Sequence, residues 1–222
     1  MPEVIFNGSD GRLEGRYIHG ESPTSPLAIV LHPHPQHGGT MNNRIVYSMF
    51  HMFVRRGFSV LRFNFRGVGR SQGVFDHGQG ELRDAAAALD WMQTHNPNAS
   101  GVWVAGFSFG AWIAMQVLMR RPEIHGFLCA SLPANMYDFS FLAPCPSSGL
   151  IVHGEQDRVT STDSVIKLVN KLSQQRGITI DFDAIDGADH FFTEYLADFE
   201  DICEGYLDKR LQSAPERVAL AR

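Results

Sequence analysis

Residues 101–121 read GVWVAGFSFGAWIAMQVLMRR, an apolar β-rich run that passes directly into a helical pattern. The junction at 106–110 is GFSFG, a G-x-S-x-G sequence. A strand that turns abruptly into a helix holds the central serine in a strained conformation above the sheet, and the flanking glycines let the two backbones pass closely. The placement therefore predicts that Ser108 is a nucleophile. The alternative is a glycine-rich turn with an idle serine.

Short β-rich runs alternate with helical patterns on both sides of this junction. An N-terminal hairpin, EVIFN and RLEGRYIH around an Asp-Gly turn, is followed by LAIVLH (27–32), GFSVLRFNF (57–65), GVWVAGF (101–107), IHGFLCA (124–130), GLIVHG (149–154) and ITIDFDAI (178–185). This alternation predicts a mostly parallel sheet covered by helices. We expect one α/β domain over 1–211 with no internal boundary, and a flexible tail over 212–222.

Apolar residues in the intervening segments recur with the 3.6-residue period of amphipathic helices. The fourth of these helices is predicted to start at a capping box formed by Thr160 and Asp163. The last is predicted from an apolar stripe that runs from Phe192 to Tyr206. We interpret these stripes as core packing and not as cofactor contacts.

Composition excludes several classes of protein. The chain has 222 residues, 44% of them hydrophobic, and a net charge of -5, so it has no basic field for nucleic acid. The N-terminus lacks a basic region followed by an apolar run, so we expect no signal peptide and a cytoplasmic location. The uncharged stretch 96–119 is long enough to span a bilayer, but its glycines and strand-to-helix pattern indicate a buried strand and helix, with no membrane partner.

A serine hydroxyl needs a base, and the base needs an acid to orient it. Asp157 follows GLIVHG within HGEQDRV, and His190 lies in GADHFF between the last strand and the last helix. Both follow strands, as Ser108 does, and we predict that the three residues form a catalytic triad with His190 as base.

Other residues could fill the same roles. Asp138 is the best alternative acid and Glu155 the next, whereas Asp189 would have difficulty folding back beneath the ring of its own neighbour. His153 belongs to a strand run, where a core or rim histidine is expected rather than a base.

Acyl transfer also needs two N-H donors for the developing oxyanion. The Phe109 amide, which follows the nucleophile, is the first. The loop at 32–40, HPHPQHGGT, should supply the second, and because Pro33 and Pro35 have no N-H, His34 is the donor near the strand end. The loop's three histidines have no acidic or cysteine partner at ligand spacing, so we predict no metal.

The segment FNFRGVGRSQG at 63–73 superficially matches a dinucleotide-binding loop. Its third glycine is one residue late and no helix begins there, so we predict no cofactor. Arg66 and Arg70 are expected in structural ion pairs. In the alternative, one of them holds a substrate carboxylate, and His37 is a further candidate for substrate contact.

The motifs together, LHPHPQHGGTMNN, FNFRGVGRSQG, GFSFG, HGEQD and GADHFF, resemble those of the α/β-hydrolase superfamily, and more narrowly its small serine hydrolases related to dienelactone hydrolase. The resemblance spans nearly the whole chain. It implies an eight-stranded sheet, a Ser108, Asp157 and His190 triad, and oxyanion donors at Phe109 and His34. Dienelactone hydrolases proper carry a cysteine nucleophile, so their substrate is not carried over.

Only residues 131–148 separate the strand runs between which larger relatives insert a helical lid. We therefore expect an open site for small soluble esters or thioesters, hydrolysed through an acyl-enzyme. Amide hydrolysis or acyl transfer on the same triad is one alternative, and a non-catalytic ligand-binding protein is another. The natural substrate and any homo-oligomer are left open.

Overall fold

The computed structural model describes residues 2–212, in which an N-terminal hairpin leads into alternating strands and helices. The strands are β1 (Glu3–Gly8), β2 (Gly11–Ile18), β3 (Leu27–Leu31), β4 (Ser59–Phe63), β5 (Val102–Phe107), β6 (Ile124–Ala130), β7 (Gly149–Gly154) and β8 (Ile180–Ile185). The helices are α1 (Arg44–Arg55), α2 (Gln79–His95), α3 (Phe109–Leu118), α4 (Thr162–Ser173) and α5 (Leu196–Gln212), and a single 3-10 turn covers Pro35–His37.

The strands form one sheet in the order β1-β2-β4-β3-β5-β6-β7-β8. β1 and β2 pair antiparallel, β2 joins β4 antiparallel, and every other neighbouring pair is parallel. β3, β4, β5 and β7 are buried along their whole length, because helices cover both faces. The predicted eight-stranded α/β-hydrolase architecture is confirmed.

Two hydrophobic clusters occupy the two faces of the sheet. α2, α3 and α4 pack on one face, and α1 and α5 pack on the other. The three cysteines are buried free thiols within these layers. The helical stripes of the sequence are therefore core packing, as predicted.

The predicted capping box of α4 is wrong. The N-cap is Ser161, and no side chain caps this helix end. The backbone amide of Thr160 instead donates to the carboxylate of Asp157 at 2.8 Å, so Thr160 belongs to the turn that holds Asp157.

The last helix begins later than its apolar stripe indicates. Phe192 has φ 50° and lies in a turn before Leu196, where α5 starts. Its ring is nevertheless buried, 4.8 Å from that of Phe199. The apolar stripe correctly predicts that Phe192 is buried. The predicted start of the last helix is wrong, because the turn that carries His190 continues into the residues of the stripe.

The segment 131–148 between β6 and β7 contains neither helix nor strand, so no lid domain is inserted there. The uncharged stretch 96–119 is used for β5 and α3, and among the described residues no helix combines the length and apolarity needed to cross a membrane. Of the predicted tail, Gln212 ends α5, and 213–222 lie outside the described residues.

Candidate active site

Ser108 stands at the turn between β5 and α3, with φ 53° and ψ -119°. This conformation is costly for a residue with a side chain, by about 1–3 kcal/mol. Backbone hydrogen bonds hold it: the Ser108 amide donates to the carbonyl of Ala130 at 2.9 Å, and its carbonyl accepts from the amide of Ala111 at 2.9 Å. The side chain is thereby held above the carboxyl ends of the strands.

The glycines around the serine are required by space. A Cβ at Gly106 would lie 2.3 Å from the carbonyl oxygen of Gly110. A Cβ at Gly110 would lie 2.3 Å from the carbonyl oxygen of Leu31 in β3. Both contacts are with backbone, which cannot move aside cheaply, so the turn admits only glycine at these two positions.

His190 and Asp157 converge on Ser108 from neighbouring strand ends. Asp157 follows β7 and His190 follows β8, and the carboxyl ends of parallel strands share one edge of the sheet. His190 Nε2 lies 3.1 Å from Ser108 Oγ, and His190 Nδ1 lies 2.7 Å from Asp157 Oδ2. The structure brings together the three residues that the sequence singles out.

The surroundings of Asp157 fix its charge and its direction. Its side chain is fully buried, and Oδ1 accepts hydrogen bonds from the amides of Val159 at 2.7 Å and Thr160 at 2.8 Å. Burial acts to raise the pKa of Asp157, but the hydrogen bonds from His190 and the two amides outweigh it, so the pKa is lowered. An anionic Oδ2 then requires the proton of neutral His190 on Nδ1, which leaves the Nε2 lone pair facing Ser108.

The imidazole of His190 is held by packing as well. Ser131 Oγ donates to the His190 carbonyl at 2.9 Å. The rings of Phe107 and Phe191 lie 5.2 and 5.0 Å from the imidazole. The side chain is 6% exposed, so the orientation of the ring is set by the protein rather than by solvent.

The alternative acids and base take other roles. Asp138 is exposed, and its carboxylate accepts hydrogen bonds from the amide and hydroxyl of Ser140. Glu155 is exposed too, and Asp189 binds groups of its own turn. His153 is fully buried in β7, and its Nδ1 has no hydrogen bond and lies 3.8 Å from Asp157 Oδ2. Burial lowers the pKa of His153, which keeps this ring neutral.

Both predicted oxyanion donors lie at one cavity beside the serine. Phe109 is the first residue of α3, so its amide has no acceptor within the helix. The His34 carbonyl accepts from the amides of His37 and Gly39, each at 3.0 Å, which curls the loop over the cavity. Phe109 and His34 both line the cavity that contains Ser108, and their amides remain the predicted oxyanion donors.

His32 ties this loop to the sheet. It is fully buried, its Nδ1 lies 2.6 Å from the Pro33 carbonyl, and its Nε2 accepts from the Phe65 amide at 3.0 Å. These partners fix a neutral ring with the proton on Nδ1. Burial lowers the pKa of His32 to about 4. The first histidine of the loop is thus structural.

The cavity at Ser108 has a volume of about 300 Å³ and is mostly apolar. Among residues 2–212, no Asp, Glu, Lys or Arg lines it. Its walls are Pro33, His34, His37, Gly38, Gly39, Asn43, Phe109, Pro133, Met136, Tyr137, Val159, His190 and Phe191. It suits a small uncharged group.

Of the three predicted substrate contacts, only His37 lines this cavity, with its ring stacked 4.3 Å from that of His34. The side chain of Arg66 is 5% exposed and forms a bidentate ion pair with Asp84, in which Nη2 donates to Oδ1 at 2.8 Å and Nε donates to Oδ2 at 2.9 Å. Arg70 pairs with Glu14 and Glu3. Neither arginine therefore lines the cavity. Both form structural ion pairs, which is the first of the two roles predicted for them.

Several residues that line the cavity were not identified from the sequence. Met136 and Tyr137 come from the irregular segment 131–148, which has no periodicity to mark them. Val159 and Phe191 adjoin Asp157 and His190, so closeness in sequence to the triad was the available signal. Across residues 2–212, no group of three His, Cys, Asp or Glu side chains is placed to hold a metal ion.

Residues 21–144 match the family model of X-Pro dipeptidyl-peptidase (S15 family). An uncharacterised protein of Rickettsia prowazekii is 56% identical over 211 residues, which cover 93% of this chain and 89% of that protein. A crystal structure from Agrobacterium tumefaciens, of a protein of unknown function grouped with the α/β hydrolases, is 59% identical with a TM-score of 0.94, and the match covers 95% of this chain and 97% of that one.

A structure from Xanthomonas campestris, described as an α/β serine hydrolase without a lid, is also similar. It is 29% identical with a TM-score of 0.83, and the match covers 94% of each chain. The matches to these two structures cover 95% and 94% of this chain, so the shared fold includes nearly all of it.

Proposed function

Because the chain belongs to the α/β-hydrolase superfamily, which includes the S15 peptidase family whose model it matches, we propose that it is a serine hydrolase that cleaves small esters or thioesters through an acyl-enzyme on Ser108. One observation carries the proposal. His190 Nε2 lies 3.1 Å from Ser108 Oγ while its Nδ1 lies 2.7 Å from the buried, anionic Asp157. That geometry makes a hydroxyl nucleophilic.

In the first half-reaction, Ser108 Oγ attacks the carbonyl carbon while its proton moves to His190 Nε2. Asp157 stabilises the resulting imidazolium through Nδ1-H. The amides of Phe109 and His34 donate to the oxyanion, each contributing roughly 3 kcal/mol in the transition state. The intermediate then expels the leaving group, which takes the proton from His190.

Water completes the cycle. It attacks the acyl carbon and gives a proton to His190, and the bond between the acyl carbon and Ser108 Oγ breaks as that proton returns to Oγ. The products are the free acid and the restored hydroxyl. Residues 131–148 contain no helix or strand that could form a lid domain, so we expect water to reach the acyl-enzyme, which favours hydrolysis over acyl transfer.

The composition of the cavity favours esters over peptides. A dipeptidyl-peptidase releases dipeptides from a free N-terminus, so it must accommodate an ammonium group. No carboxylate side chain lines the cavity in the described part of the chain, and Asp157 is buried behind His190. An uncharged acyl group fits these walls better, and a volume of about 300 Å³ limits its length.

Turnover of p-nitrophenyl esters tests the proposal. We expect acetate and butyrate to be hydrolysed with higher kcat/KM than decanoate, and an X-Pro p-nitroanilide to be slower than either short ester. Ser108→Ala should abolish turnover. Failure of the folded wild-type protein to hydrolyse any ester would favour the ligand-binding alternative, and a preference for the anilide would favour a peptidase.

A further inference from the structure

A second groove adjoins His190, and its described lining includes no residue of the loop at 32–40. Its volume is about 400 Å³, and it is lined by Gln156, Arg158, Val159, Asp189, His190 and Phe191. Three of these residues, Val159, His190 and Phe191, also line the cavity at Ser108. The two depressions are therefore neighbours, separated by a shared ridge.

This groove is placed where the leaving group must go. In the proposed mechanism His190 Nε2 gives its proton to the leaving atom, so the leaving group is bonded beside His190 and the acyl group occupies the cavity near Phe109. The ridge is accessible, because Val159 is 45% and Phe191 47% exposed. A leaving group of moderate length crosses these two side chains and enters the second groove.

Arg158 supplies the groove with unused hydrogen-bond donors. The side chain is exposed, and within residues 2–212 it has no hydrogen-bond or ion-pair partner. A guanidinium offers five N-H donors in a planar fork that matches carboxylate and phosphate oxygens. By contrast, no Asp, Glu, Lys or Arg in the described part of the chain lines the cavity at Ser108.

The other charged wall, Asp189, has little free capacity. Its carboxylate accepts hydrogen bonds from the amides of Phe191 and Thr193 and from the Thr193 hydroxyl, at 3.2, 2.8 and 2.7 Å. Since a carboxylate has about four acceptor positions, three are already used within its own turn. The free hydrogen-bonding capacity of the two charged walls thus lies mainly with the donors of Arg158.

From this arrangement we propose that the second groove binds the leaving group, and that Arg158 recognises an anionic substituent, a carboxylate or phosphate, on it. The substrates are then esters or thioesters of a small uncharged acid with an alcohol or thiol that carries a negative charge. This inference rests on the proposed hydrolase function and assigns charge selectivity to one side of the site.

Matched aryl acetates test the inference. The phenol carries a carboxymethyl, phosphonomethyl, carbamoylmethyl or trimethylammoniomethyl group, so that the methylene limits electronic differences, and each kcat/KM is divided by the spontaneous hydrolysis rate. We expect both anionic esters to exceed the neutral carbamoyl ester by about tenfold, with the cationic ester below it. The larger of the two anionic preferences distinguishes phosphate from carboxylate recognition.

Arginine variants complete the test. Arg158→Gln should reduce the anionic-to-neutral ratio to about one, whereas Arg176→Gln, the same change at an exposed arginine after α4, should leave the ratio unchanged. The wild-type ratio should fall at 0.5 M salt, since exposed charges are screened. A preference for the cationic ester, or a ratio that Arg158→Gln does not change, overturns the inference. Absence of turnover of the neutral ester instead contradicts the proposed function.

Discussion

Replacing Asp157 by asparagine separates the charge of the acid from its shape. Oδ1 is held by the amides of Val159 and Thr160, and Oδ2 by His190. The substituted side chain keeps one oxygen, which the two amides require. Its NH2 group then faces His190 Nδ1, which must accept rather than donate. The imidazole proton moves to Nε2, and the ring can no longer take the proton of Ser108.

The expected loss of kcat follows from the free energy needed to turn the new amide at position 157 into the reverse orientation. Turning the amide so that its oxygen faces His190 puts its NH2 group against the Val159 and Thr160 amides, and these two N-H donors lose the buried oxygen that accepted from them, at about 1–3 kcal/mol each. The productive tautomer is then disfavoured by about 2–6 kcal/mol, which at 1.36 kcal/mol per decade is a loss of about 30-fold to 10⁴-fold. The upper end equals the approximately 10⁴-fold fall in kcat associated with the wrong tautomer in serine triads.

The assay compares kcat for p-nitrophenyl acetate between wild type and Asp157→Asn, with circular dichroism and urea unfolding to verify the fold. Asp138→Asn is the matched control, because it makes the same chemical change at the exposed alternative acid. We expect Asp138→Asn to remain within twofold of wild type. A loss below tenfold in Asp157→Asn, or a comparable loss in both variants, would refute the reasoning.

Further predictions concern stability and are measured by urea unfolding unless stated. Gly110→Ala should lower the free energy of unfolding by about 3 kcal/mol, because the added Cβ would lie 2.3 Å from a carbonyl oxygen of β3. Gly205→Ala is the control: a Cβ there has nothing within 4 Å, and alanine in the interior of α5 should stabilise the protein by about 1 kcal/mol. Equal effects of the two changes would contradict this prediction. Asp84→Asn should cost about 3 kcal/mol, because it removes the buried carboxylate that binds Arg66 through two hydrogen bonds and leaves Asp10, at 3.7 Å and exposed, as the remaining ion-pair partner of Arg66. A cost below 1 kcal/mol would show that the pair is unimportant. His32 should remain neutral at pH 5, because its pKa is about 4 in the folded protein and 6.5 in the unfolded chain. As the pH falls from 6.5 to about 4, the unfolded chain takes up the proton first, so the free energy of unfolding decreases by about 3 kcal/mol. An NMR titration of His32 with a midpoint near 6.5 would contradict that prediction.

The sheet and the triad could be predicted because each is tied to local sequence. Buried parallel strands are short apolar runs, and the carboxyl ends of such strands meet at one edge. Ser108, Asp157 and His190 each follow such a run, so their strand positions alone placed them near one another. The close packing at Gly106 and Gly110 follows equally from the turn between β5 and α3.

The remainder depends on contacts between distant segments. Met136 and Tyr137 reach the cavity from a segment without helical or strand periodicity. Phe192 belongs to an apolar stripe, yet hydrogen bonds in the turn after His190 delay the helix. The groove at Arg158 exists only because β7 and β8 are neighbours, which brings the turns after them together. None of these features has a signature within one segment.

Covalent labelling tests the activation of Ser108 most directly. A fluorophosphonate probe should add once to the folded wild-type protein, with the adduct mapped by mass spectrometry to Ser108, and labelling should be lost in Ser108→Ala and slowed strongly in a His190→Gln variant. An unlabelled but folded wild-type protein, or an adduct on another residue, would contradict the account.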